Sequence, residues 1–308
     1  MTLKIISLFS WCWWKDLWFI GNFDFLWKHY SKNPFEIVWA NDNFLDACKT
    51  YGYNISNHIA YGDIKEIDIK SIPDADIVIG GFPCQDFSVA GKRKWLSADR
   101  WRLFLNMLEI IKQKKPVAFI AENVKWLMNI DKWEVLKHIV KEFSSAGYNV
   151  NYFLLKASDY GVPQIRERIF IVWIRKDKEY SFEAPKKTGK IITAYDAIND
   201  LRNKEEDGTI PNHNEYSKAK KNKWQWNRAI EADKPGPTIR AEHHGNIEFH
   251  YNWTRRLTVR ECARIQSFPD QFIFVGSGSS NYKQIWNAVP PVLARHVARA
   301  LAKWLWLL

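Results

Sequence analysis

The chain is short of glycine, sparing with cysteine, and free of long apolar runs. Only 14 of its 308 residues are glycine, where average usage of about 7% would give roughly 22. Its four cysteines, Cys12, Cys48, Cys84 and Cys262, are far apart and form no CxxC pair. That spacing excludes a zinc ribbon and a redox dithiol, and points to free thiols in a reducing cytoplasm. Spans of the length needed to cross a bilayer as a helix are absent. The start, "MTLKIISLFS", reads as a first strand rather than a signal peptide. Acidic residues number 34 against 45 lysines and arginines, for a net charge of +11. Such a surface favours a polyanionic partner, nucleic acid before an anionic membrane.

What is abundant is tryptophan, at 17 residues, and strand-like runs. "LKIISLF" (3–9), "EIVWA" (36–40), "IAYGDI" (59–64), "ADIVIGG" (75–81) and "PVAFIAEN" (116–123) read as buried strands. "YNVNYFLLKA" and "RIFIVWI" complete a sheet. Helical spacing marks the segment from about residue 10 to Tyr30, then "RLFLNMLEIIKQ", "WEVLKHIVKEFSSAG", "TVRECARIQSF" and the final "PPVLARHVARALAKWLWLL". Alternation over about 175 residues predicts a doubly wound α/β sheet, whose ligands lie beyond the carboxyl ends of the strands. Asp42, Asp63, Cys84, Glu122 and Asn123 all fall at such ends. From about Lys176 to Asn252 charge, proline, glycine and asparagine dominate and periodicity fades, which marks a second, smaller region. Its "KAKKNK" run is either a solvated face or a phosphate contact.

"GGFPCQDFS" (80–88) carries the chemistry. A cysteine after a strand is usually a small core residue. Here Pro83 fixes the turn, Gly80 and Gly81 admit a ligand closely, and Glu122 ends the next strand. A thiolate nucleophile with a carboxyl group suits attack on an electron-poor ring, sulfur adding to carbon while the carboxyl engages a ring nitrogen. Asp42 suits ribose hydroxyls and Asp63 an adenine amine, with surface capping the alternative for each. "QIRER" sets Gln164, Arg166 and Arg168 on one face, for anion or base contacts or as a salt-bridge strip.

With these pieces in this order, the chain resembles the DNA (cytosine-5)-methyltransferases of bacterial restriction–modification systems. The resemblance runs through "SLFSWCWW", "ANDN", "GDI", "GGFPCQDFS", "RLF", "ENV", "QIRERIF", "RRLTVRECARIQSFPDQF" and "NAVPPVLA", nearly the whole chain. It implies a Rossmann-like S-adenosylmethionine-dependent fold with a mixed sheet and a small target-recognition domain. The divisions would be 1–182 (catalytic), 183–280 (target recognition) and 281–308 (a segment returning to the catalytic domain). It implies a flipped cytosine as substrate, with Cys84 attacking C6, Glu122 engaging N3 and the exocyclic amine, Arg168 holding the base and Arg166 in support. Cofactor contacts would come from Phe9, Trp11, Trp14, Asp42, Asp63, Pro83, Leu103, Asn287 and Val289. DNA contacts would come from Gln85, Ser88, Arg240, Glu242, His243, His244 and Arg256. The implied partners are S-adenosylmethionine, double-stranded DNA and a cognate restriction endonuclease, with no metal and no membrane, for a cytoplasmic monomer.

The chain departs from the family in one respect. Trp11, Trp13, Trp14, Trp95, Trp101, Trp126 and Trp286, with Trp18, Trp173 and Trp253, stand where the family has glycine, whereas Trp39 reads as a native tryptophan. Indoles in the cofactor loop would fill the space that the methionine end of the cofactor needs. A source that reads UGA as glycine would explain both the tryptophan excess and the glycine deficit; a decayed or disabled gene is the rival. Two further readings therefore stand beside an active DNA methyltransferase: a non-catalytic DNA-binding relative, and a tRNA cytosine-5 methyltransferase. A nucleotide-dependent dehydrogenase is excluded by the missing GxGxxG spacing.

Overall fold

The computed structural model describes residues 2–9, 19–81, 99–128, 133–178, 182–201, 209–218, 228–240, 247–252 and 255–305. Its frame is a seven-stranded sheet built from β1 (Leu3–Leu8), β4 (Phe35–Asp42), β5 (Ile59–Tyr61), β6 (Ile77–Gly80), β7 (Ala118–Val124), β8 (Tyr148–Lys156) and β9 (Glu167–Arg175). The order is β5-β4-β1-β6-β7-β9-β8. The first five are parallel, and β9 runs antiparallel to both β7 and β8. Chain order reverses at β1, which leaves β4 on one edge and β6 on the other, so the switch point lies over the ends of β1 and β6.

The sheet is apolar on both sides because helices cover both. Strand residues of one parity, including Ile5, Ile79, Ile120, Phe170 and Val172, join a core shared with α5 (Val259–Ile265) and α7 (Pro291–Trp304). The other parity, including Ile6, Val78, Phe119, Ile171 and Trp173, packs with α2 (Asp99–Lys114) and α3 (Glu134–Ser145). Trp173 is fully buried, its ring 4.0 Å from that of Phe119, so the fold accommodates an indole there. Trp133 differs: it precedes α3 at φ +75° with no side-chain cap, a conformation that bulky residues adopt only under strain.

One expected helix is corrected. Between Gly21 and Tyr30 the structure forms an antiparallel hairpin, β2 (Phe23–Phe25) and β3 (Lys28–Tyr30). Phe23 and Phe25 are buried while Asp24 is exposed, the period-2 pattern of a strand. Gly21 and Asn22 lie at positive φ, which ends the helix at residue 20. Among the described residues, no helix is long and apolar enough to cross a membrane.

Helix α5 opens with a capping box, Thr258 and Glu261 each bonding the other's backbone N–H. This satisfies two of the donors a helix start leaves unpaired. Arg260 is fully buried and donates to the carbonyls of Pro211 (2.9 Å), Pro269 (2.8 Å) and Phe272 (2.5 Å). Burial lowers its pKa to about 10. Arg264 bridges Asp200 and Asp270. The charged positions of "RECARIQ" thus face inward and tie α5 to the neighbouring segments around Asp200, Pro211 and Asp270.

Candidate active site

At the carboxyl end of the sheet, β7 brings Glu122 and Asn123, both nearly buried, beside the first residues of β9. Val124 pairs with Arg168 and Glu122 with Phe170, so Glu122 and Arg168 are diagonal neighbours on one face. Their side chains meet, Arg168 Nε lying 2.8 Å from Glu122 Oε1. Each is about 8% exposed, so the pair is shielded from water yet open at one rim. Arg168 also donates from Nη1 to the Glu167 carbonyl at 2.8 Å.

The polar alternation in "QIRER" is realised. Gln164, Arg166 and Arg168 are buried, while Ile165 between them is 45% exposed. Arg166 donates from Nη2 to the carbonyl of Trp286 at 2.6 Å. Trp286 lies in α6 (Gly278–Asn287), so this bond ties the start of β9 to the "NAVPP" segment. Gln164 forms a bridge with Gly236, and a Cβ at Gly236 would come within 3.1 Å of Ile265. Any larger residue there would need the Ile265 side chain to yield by a few tenths of an ångström.

Six of the expected cofactor residues are among those described. Phe9 follows β1 at φ +52° and is 5% exposed, a strained conformation of the kind that gathers at functional sites. Asp42 ends β4, buried, its Oδ1 accepting the Phe44 N–H at 2.7 Å. Asp63 follows β5; it accepts from the Lys65 N–H at 3.0 Å and its Oδ2 lies 3.0 Å from Lys65 Nζ, so its capping role is real as well. At Gly80 an added Cβ would meet the Leu8 carbonyl and the Met107 sulfur at 3.4 Å. Leu103 is half-buried and Val289 fully buried; Asn287 ends α6. Carboxylates after β4 and β5, with an aromatic and a bare glycine at the switch point, fit a nucleoside-bearing ligand.

Trp11, Trp14, Pro83, Cys84, Gln85, Ser88, Glu242, His243 and His244 lie outside the described residues. The two cysteines that are described, Cys48 and Cys262, are both buried. Burial pushes the Cys48 thiol up to about 12 and that of Cys262 well above its usual range. Arg240 is exposed, as a DNA contact requires. Arg256 is corrected: it is 1% exposed, donates to the Ile247 carbonyl, and lies 4.1 Å from the Phe249 ring centroid. A guanidinium committed inward in this way holds the small region together and does not face DNA. Among the described residues no cluster could hold a metal ion.

A sheet of this order, with ligand-type residues at its switch point and an acid–guanidinium pair beside it, defines a Rossmann-like S-adenosylmethionine-dependent methyltransferase. The chain belongs to the C-5 cytosine-specific DNA methylase family, which it matches over residues 3–303. It is 35% identical to the Type II methyltransferase M.NgoFVII of Neisseria gonorrhoeae, over 97% of this chain and 86% of that one. It is also 35% identical to M.MthTI of Methanothermobacter thermautotrophicus, over 98% of each. In fold it is similar to the Entamoeba histolytica methyltransferase EhMeth, with a TM-score of 0.76, 18% identity and 98% of each chain covered. The family reaction is transfer of a methyl group from S-adenosylmethionine to C5 of cytosine in DNA.

Proposed function

We propose that this chain is the methyltransferase of a restriction–modification system, modifying one cytosine within a specific duplex sequence as a monomer in the cytoplasm, alongside a nuclease of the same specificity. Residues 1–182 and 281–308 form its catalytic part and 183–280 its target-recognition part. The buried Glu122–Arg168 pair at 2.8 Å carries this reading. A carboxyl group and a guanidinium, held side by side and largely buried, match the ring nitrogen, exocyclic amine and carbonyl on one edge of cytosine.

Duplex DNA hides that edge, so the base must leave the stack. Glu122 then engages N3 and the amine, and Arg168 holds the base while Arg166 supports it from behind. The Cys84 thiolate adds to C6, and the electron pair of the C5–C6 bond becomes available at C5. The cofactor supplies an electrophilic methyl group. Loss of the C5 proton and release of sulfur from C6 restore the ring. Phe9, Asp42, Asp63, Leu103, Asn287 and Val289 hold the cofactor, together with Trp11, Trp14 and Pro83. Gln85, Ser88, Arg240, Glu242, His243 and His244 contact DNA.

The test is transfer of a labelled methyl group to duplex DNA by the full chain and by Cys84→Ser. The expected result is transfer by the former only, with DNA binding kept by both. Transfer by Cys84→Ser would overturn the nucleophile. Indoles at Trp11, Trp13 and Trp14 favour a second reading, a DNA-binding relative without catalysis. DNA binding without cofactor binding would establish it. Preference for tRNA over duplex DNA would replace the substrate.

A further inference from the structure

The small region contains a buried polar centre that the reaction does not use. Glu261 is fully buried, and its carboxylate receives two hydrogen bonds from Arg255 (2.8 and 2.9 Å) and one from the Thr258 N–H (2.8 Å). His250, 4% exposed, turns Nε2 towards the same carboxylate at 3.6 Å. Its Nδ1 accepts the Asn252 N–H at 3.1 Å, which places the ring proton on Nε2, facing the acid.

His250 also belongs to a short three-stranded ladder. Its N–H donates to the Arg255 carbonyl, and the Leu257 N–H donates to Glu248. On the other edge the Phe249 N–H donates to the Arg228 carbonyl at 2.9 Å, and the Ile230 N–H returns to Phe249 at 3.0 Å. The backbone of Arg228 is therefore held by the segment 247–250, which backbone bonds tie to Arg255 and Leu257 and whose His250 ring lies against Glu261. Arg228 is exposed, as is Arg240. Burial raises the pKa of the Glu248 carboxyl, and both guanidiniums, with that of Arg256, pull it partly back.

We propose that His250 is a positioning residue for DNA binding: it pins the strand 247–250 to Glu261 and so holds Arg228 and Arg240 at the surface for the DNA backbone and base edges. This rests on the reading of the chain as a DNA methyltransferase. Nucleic acid meets the arginines, and His250 acts only through them.

The test measures duplex DNA affinity of the full-length protein across a salt series, with cofactor affinity and thermal unfolding as controls. His250→Ala should weaken binding about tenfold and flatten the salt slope by about one to two, as lost phosphate contacts do. His250→Gln, which keeps a polar N–H group facing Glu261, should restore most of both. In an Arg228→Ala/Arg240→Ala background His250→Ala should add nothing further, since residues acting through the same contacts are not additive. An additive loss, or unchanged affinity in a folded His250→Ala protein, overturns the inference and leaves the functional reading intact. Failure of the unsubstituted chain to bind duplex DNA overturns both.

Discussion

Arg166 reaches across the molecule to the backbone carbonyl of Trp286, 120 residues further along the chain, at 2.6 Å. The bond needs no particular side chain at 286, only a helix ending there. Arg166→Ala would strand that carbonyl and remove a charged, buried donor, destabilising the fold by about 2–3 kcal/mol. Trp286→Gly should leave the bond in place and lower stability much less. Denaturant unfolding of the two variants compares them.

Glu122 and Arg168 are coupled more tightly than a surface pair. Removing one partner leaves the other charge buried, a penalty of about 3–5 kcal/mol. The double variant Arg168→Ala/Glu122→Ala should therefore lose less stability than the sum of the two single variants. Glu122→Gln, nearly isosteric, should fold and bind cofactor yet transfer methyl groups at least a hundredfold more slowly, since general acid contributions run to about that size. A double-mutant cycle and a single-turnover assay test the two halves.

His296 gives the fold an acid sensitivity. Burial, with the nearby charges of Arg295, Lys28 and Arg299, lowers its pKa from 6.5 to about 4. Its ring packs 5.6 Å from that of Tyr160. In this window the unfolded chain takes up a proton and the folded one does not, so stability falls as pH drops from about 6.5 to about 4, and this contribution levels off below. The full shift corresponds to roughly 3 kcal/mol at most. His296→Phe should flatten the stability profile between those limits; an unchanged slope would assign the acid sensitivity elsewhere.

Trp133 sits at φ +75° before α3. That conformation strains a bulky residue by roughly 1–2 kcal/mol, and glycine adopts it freely. Its ring contributes only a loose contact with Tyr152, 6.3 Å between centroids. Trp133→Gly should raise the unfolding midpoint by about 2 °C. Reading the source codons gives an independent check: UGA at 11, 13, 14, 95, 101, 126 and 286, and also at 133, with UGG at Trp39, is the expected pattern.

Most of the sheet was legible because its strands are apolar runs closed by chemistry-bearing residues. "ADIVIGG" and "PVAFIAEN" became β6 and β7 with ends within two residues of the expected ones. The hairpin at 23–30 was obscured because aromatic residues at 19, 23, 25 and 30 satisfy a helical count as well as a strand count. Glu122 and Arg168 were readable from their places in "ENV" and "QIRER", and their mutual contact followed only from the antiparallel register of β9. Arg256 was misjudged because its position beside Arg255 in a basic run carries no mark of burial. The Thr258-x-x-Glu261 spacing was a readable helix start. The inward role of His250 had no such signal, since it depends on a partner eleven residues away in a different element.

The pairing of β7 with β9 runs through seven registered positions, from Ala118 opposite Ile174 to Val124 opposite Arg168. Slippage along such a ladder comes only in whole steps. One step turns Arg168 to the opposite face of the sheet, and two steps carry it about 6.8 Å along the strand. Errors in this part of the pocket are therefore quantised: a misfolded molecule does not hold a slightly widened acid–guanidinium gap, it holds none. Folding itself thus acts as a proofreading step, and the population of chains that reach this ladder divides sharply into those with the pair and those without it.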